Sequence, residues 1–161
     1  MLRLNLPNEE ATRSAATLLA KQLRAGDVVI LNGGLAAGKT FWVQAMATAL
    51  GVTNYVSSPT YTIAHFYRYP AGRLLHIDAY RLDTMEEFRD LALDEFWDEV
   101  IACIEWGDKV KQDFDDYLVI NLSKDAHSET SRQVEITAAG PRSAEIIEQS
   151  GLLAIGGKPW K

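Results

Sequence analysis

Between Gly33 and Thr40 the chain reads GGLAAGKT, a match to G-x-x-x-x-G-K-[ST]. Each fixed position has a chemical reason. Glycines let backbone N–H groups turn toward an anion, a helix N-terminus behind them adds positive partial charge, and Lys39 supplies a full one. Thr40 offers a hydroxyl to Mg2+. The apolar run Val28-Val29-Ile30-Leu31 precedes this stretch, and a helix-compatible segment ending near Leu50-Gly51 follows it. Gly33, Gly34, Leu35, Ala36, Ala37, Gly38, Lys39 and Thr40 therefore read as a phosphate-binding loop, with Phe41 opening the helix behind it.

Such a loop by itself binds. Hydrolysis also needs an acid near Mg2+ and a group that orients the attacking water. These acids commonly leave an apolar strand at the open end of a parallel sheet, where ligands bind. Two positions qualify: Asp78 after Leu74-Leu75-His76-Ile77, and Glu105 after Ile101-Ala102-Cys103-Ile104. Ser58-Pro59-Thr60-Tyr61-Thr62 is either a hydroxyl-bearing loop that orders around a γ-phosphate or an ordinary turn.

The elements that must position these groups follow from periodicity. Leu2, Leu4 and Leu6 alternate with polar residues as a short strand, and Asn8 caps a helix predicted over Glu9 to Arg24. A second helix runs from Phe41 to Leu50, ended by Gly51. Tyr61 to Tyr69 and Leu74 to Ile77, separated by Pro70-Ala71-Gly72, form a hairpin. Thr84 starts a helix carrying Phe88 and Leu91, Val100 to Trp106 is a buried strand, and Tyr117 to Leu122 pairs antiparallel with Gln133 to Thr137. Arg142 to Gln149 is a last helix, and a loose tail follows Gly151. The expectation is an α/β fold: a P-loop NTPase-like mixed sheet with flanking helices and appended antiparallel C-terminal strands. Residues 1–150 would form one P-loop ATPase domain and 151–161 a C-terminal tail.

Composition narrows the function classes. At 161 residues, one domain with a real core is expected. Apolar runs are strand-sized and MLRLNLPNEE lacks the apolar block of a signal peptide, so neither membrane nor export is implied and cytoplasmic location is the default. The 22 acidic against 16 basic residues, a net charge of −6, disfavour autonomous nucleic-acid binding. The lone Cys103 lies in an apolar strand pattern and reads as core.

The loop, SPTYT at Ser58 to Thr62, HIDAYRL at His76 to Leu82 and IEW at Ile104 to Trp106 occur in the order and spacing of a known family. Over residues 9 to 122 the chain closely resembles TsaE, formerly YjeE, the small ATPase of bacterial tRNA threonylcarbamoyladenosine biosynthesis. The resemblance implies ATP and Mg2+ as cofactors and the TsaD and TsaB proteins as partners, with tRNA held mainly through them. It implies a turnover-driving role rather than the carbamoyl transfer itself. Lys39 would contact the β- and γ-phosphates, Thr40 and Glu105 would hold Mg2+, and Asp78 would orient water, with the reverse division between the two acids as the alternative. Thr60 and Trp106 occupy matching motif positions, and Trp106 also reads as a bulky strand-end residue. Arg81 could reach phosphate or partner, or form a surface ion pair.

Three loop positions depart from the family's usual G-[DE]-L-G-[AS]-G-K-T and its following hydroxyl residue. Gly34 replaces the acid, Ala36 a glycine and Phe41 the hydroxyl, which implies weaker nucleotide binding. His65, polar or acidic in many relatives, reads as a solvated histidine. Asn121 to Asp125 lacks the spacing of a guanine-specificity element, so ATP is expected over GTP. Two rivals use the same loop: a small-molecule kinase, for which no arginine-rich lid is evident, and a nucleotide-sensing adaptor without useful turnover.

Overall fold

The computed structural model describes residues 1–58 and 63–155, together with the backbone of 158–159. Its first half comprises β1 (Leu2–Leu6), α1 (Glu9–Ala20), β2 (Val28–Asn32), α2 (Lys39–Leu50), β3 (Ala64–Tyr69) and β4 (Gly72–Asp78). The second half comprises α3 (Met85–Arg89), β5 (Val100–Glu105), β6 (Leu118–Lys124), β7 (Arg132–Ala138), α4 (Pro141–Gln149) and β8 (Lys158–Pro159). All eight strands join one sheet in the order β3-β4-β5-β2-β6-β7-β1-β8.

β4, β5, β2 and β6 are mutually parallel, and antiparallel strands flank them on both sides. β5 is buried along its whole length and β2 nearly so, as expected where both faces of a parallel sheet are covered. One face packs under α1 and α2, with Trp42, Met46, Leu19 and Leu31 in its core. The other lies under α3 and short 3-10 turns, with Phe88, Leu93, Val110 and Ile104. β1, β6 and β7 instead alternate buried and exposed residues, because the antiparallel wing is covered on one face only. The result is the P-loop NTPase-like mixed sheet with flanking helices and appended antiparallel strands that the sequence predicts, with β1 joining the appended wing beside β7.

Two predicted ends differ. α1 stops at Ala20 rather than Arg24, since Gln22 and Leu23 make tighter i→i−3 bonds and the Arg24 N–H is taken by the Asp27 carboxylate at 2.8 Å. A side-chain acceptor three residues ahead thus ends the helix before Gly26. Beyond Gly151, expected to be loose, Leu152 is fully buried in a 3-10 turn, and Lys158–Pro159 pair with the edge of β1. α4 is held at its start by Asp116, which accepts from the N–H groups of Arg142 (2.7 Å) and Ser143 (3.0 Å). Arg142 in turn makes a bidentate pair with Asp27. Among the described residues, no helix is long and apolar enough to cross a membrane.

Candidate active site

The loop from Gly33 to Gly38 turns between β2 and α2 through three positive-φ residues: Gly33 (φ 153), Ala36 (φ 60) and Gly38 (φ 105). Glycine is required at Gly33 for a second reason. A Cβ there would lie 2.6 Å from the Leu122 carbonyl oxygen. Gly38 precedes the first turn of α2, which begins at Lys39, so the unpaired N–H groups of that turn face the loop.

Register brings the acids to the loop. Leu31, Glu105 and Asp78 are cross-strand neighbours on β2, β5 and β4, so both carboxylates leave the same end of the parallel sheet. Glu105 is 3% exposed. A buried carboxylate is costly without donors, and Glu105 has two among the described residues. The Thr40 hydroxyl donates to it, 3.1 Å from each oxygen, and His76 Nε2 lies 2.5 Å from Oε2. Asp78 is half-buried, and its Oδ1 accepts from the Tyr80 N–H at 3.0 Å.

Lys39 lies across the loop. Its Nζ donates to the carbonyls of Gly33 (2.7 Å) and Gly34 (2.8 Å) and sits 4.2 Å from the centroid of the Trp106 ring. Burial pushes its pKa down, while the Glu105 and Asp78 carboxylates pull it back up. Trp106 adopts left-handed backbone (φ 58), which swings its ring from the end of β5 toward Lys39 and against Tyr80, 5.0 Å away between centroids. Loop residues 35–41 and Ser58, Asp78, Tyr80, Glu105 and Trp106 line a cavity of about 300 Å³.

The structure therefore brings together Lys39, Thr40, Asp78, Glu105 and Trp106 with the glycine-rich loop. Thr60 lies outside the described residues. Arg81 and His65 are exposed, and the Cys103 thiol is fully buried, its pKa pushed far up first by burial and then by Glu105. Such a thiol is no nucleophile. Two residues at the site carry no role in the sequence reading. His76 lies two positions before Asp78, so strand alternation puts both on one face, a signal the sequence does contain. Arg132, at the start of β7, donates from Nε to the Ala37 carbonyl at 2.8 Å, a contact across the sheet that no local pattern announces.

The donor set suits Mg2+. This ion takes hard oxygen ligands, keeps several waters, and binds through one or two carboxylates plus substrate phosphates rather than an all-protein cage. Among the described residues no group of three or more His, Cys, Asp or Glu side chains could hold a metal by itself. The Thr40 hydroxyl and Glu105 carboxylate at the loop are donors of the required kind.

Residues 6–134 match the family described as "Threonylcarbamoyl adenosine biosynthesis protein TsaE". The chain belongs to the TsaE family. It is 35% identical over 152 residues to the Nostoc protein named tRNA threonylcarbamoyladenosine biosynthesis protein TsaE, covering 91% of this chain and 92% of that one. The Bacillus subtilis protein of the same name is 34% identical over 149 residues, covering 92% of each chain. The Streptomyces coelicolor one is 38% identical over 139 residues, covering 82% and 93%. The crystal structure of Bacillus subtilis YdiB superposes with a TM-score of 0.78 at 27% identity, covering 96% of this chain and 97% of that one.

Within the TsaE pattern, the three departures have different local consequences. Gly34 is exposed and a Cβ there would meet none of the described residues. Ala36 holds left-handed backbone without being glycine. Phe41, where the family places a hydroxyl, carries the Arg13 guanidinium 5.3 Å above its ring.

Proposed function

We propose that this protein binds ATP with Mg2+ at residues 33–41 and hydrolyses it in the cytoplasm in service of tRNA threonylcarbamoyladenosine biosynthesis, driving turnover of a TsaD–TsaB partner complex. The observation that carries the reading is Glu105, buried yet bonded to the Thr40 hydroxyl and in register with Asp78 on the neighbouring strand, at the mouth of a glycine-rich loop. The pathway is supported by TsaE membership and by the names of the relatives.

Each residue then has a task. Backbone N–H groups of the loop and the first turn of α2 cradle the phosphates. Lys39 exchanges the Gly33 and Gly34 carbonyls for the β- and γ-phosphate oxygens. Thr40 and Glu105 hold Mg2+, which when bound supplies positive charge against that spread over the transferring phosphoryl group. Asp78 accepts a hydrogen bond from the attacking water and orients it. Trp106, in contact with both Tyr80 and Lys39, covers the site from solvent. The net charge of −6 fits a division of labour in which tRNA is held mainly by the partners.

ATP turnover measured with and without the TsaD and TsaB proteins tests this. Turnover should rise when they are added, and Lys39→Ala and Glu105→Ala should lose the rise. Equal, negligible turnover in both arms would leave a nucleotide-sensing adaptor. Stimulation by a small metabolite instead would make the protein a kinase.

A further inference from the structure

His76 is the one fully buried polar side chain in β4, among Leu74, Leu75 and Ile77. Among the described residues its Nδ1 has no hydrogen-bond partner, so its polar contact within the structure goes through Nε2 to Glu105 Oε2. A carboxylate oxygen only accepts, so Nε2 carries the hydrogen and donates it. An imidazole left half-satisfied in an apolar strand costs stability that a leucine there would not. Packing alone does not account for it.

The geometry at Glu105 gives the reason. Thr40 comes down from α2 and touches both carboxylate oxygens, whereas His76 reaches across from β4 to Oε2. A cation at Thr40 and Glu105 would take a lone pair of the Thr40 hydroxyl while its O–H still donates to one carboxylate oxygen, and His76, reaching the carboxylate from the other strand, is the second donor that fixes its rotation. We infer that His76 is a positioning residue: its Nε2–H clamps Glu105 Oε2 and leaves Oε1 aimed at Mg2+ beside the phosphates. It touches neither nucleotide nor metal. The inference rests on the proposed Mg2+ role of Glu105, and on geometry rather than on titration of either group.

Two polar substitutions separate this role from packing. Glutamine places its amide nitrogen where Nε2 stands, and asparagine places its own where Nδ1 stands. With the full chain and a fluorescent ADP analogue, affinity is measured with and without Mg2+, beside thermal melts. His76→Gln should keep the Mg2+-dependent tightening, within about threefold, while His76→Asn should weaken apparent Mg2+ affinity about 10- to 100-fold, as loss of a partner of a metal ligand does. Affinity without Mg2+ should move little in either variant. Tightening retained in folded His76→Asn, or lost equally in both variants, overturns the clamp. If His76→Asn does not fold, His76→Leu is read by the same criterion. Glu105→Gln provides the reference for full loss, and a native chain without any Mg2+-dependent tightening would instead overturn the metal role of Glu105 and the clamp with it.

Discussion

Ala36 sits at φ 60, a region that costs a residue with a Cβ on the order of 1 kcal/mol relative to glycine. Glycine would relieve that strain but loosen the unfolded chain by roughly 0.4–1 kcal/mol. The two terms nearly cancel, so Ala36→Gly should leave the urea midpoint almost unchanged. Ala36→Val should cost about 1–3 kcal/mol, because a β-branched residue resists left-handed backbone. Phe41 poses the opposite balance. Phe41→Thr gives up the Arg13 contact, worth about 0.5–1 kcal/mol at an exposed site. It restores a hydroxyl able to bond the α-phosphate, typically about 1.5–3 kcal/mol with a charged partner and so roughly tenfold or more in affinity. Calorimetric ATP titration should find the variant binding tighter while melting slightly lower, and no gain in affinity would overturn the expectation that Phe41 weakens binding. Residue types at the site were legible in sequence because the chemistry restricts them: Lys39, Thr40, Asp78 and Glu105 stand together in the structure as the motifs imply. The sequence alone gives no role to His76 or Arg132, since the partner of each is supplied by another strand or loop.

At the level of elements, local rules worked where local groups decide the outcome. Asn8 caps α1 by accepting from the Ala11 N–H, and Thr84 caps α3 through Glu87. They failed at the end of α1, where the Asp27 side chain, three residues beyond Arg24, takes the N–H that would have continued the helix. The start of α4 depends on a group distant in sequence. Gly140 has no side chain to cap with, and Asp116 fills that place so closely that a Cβ on Gly140 would lie 2.5 Å from its carboxyl. Asp116→Asn should therefore destabilise the protein by about 1 kcal/mol, as loss of a charged cap does. Burial opposes ionisation of Asp116, but bonds from Ser143 and from the Arg142 N–H prevail and hold its pKa below 3.8. The sign follows: this carboxylate's contribution is complete above 3.8 and fades as pH falls through its lowered folded value. Urea denaturation of the native chain and Asp116→Asn at neutral and strongly acidic pH should show the difference present in the first and shrinking in the second. A difference independent of pH would mean that charge is not what Asp116 contributes.

For the molecule as a whole, β2 lies between strands that follow it in sequence by a long interval, β5 and β6, and both pairings are parallel. No hairpin can nucleate either contact, so loop closure must be completed before those pairings return any stability. The β2–β5 pairing, with the parallel β4–β5 pairing beyond it, sets Leu31, Glu105 and Asp78 side by side. A slip of one residue between β4 and β5 would send Asp78 and Glu105 to opposite faces of the sheet. Time therefore enters through the register that aligns the two acids: during refolding from urea, far-UV circular dichroism should recover first, and Mg2+-dependent binding of a fluorescent nucleotide should lag behind it. With that order of events, every newly made copy of this protein would pass through an interval in which its helices exist and its two acids have not yet met.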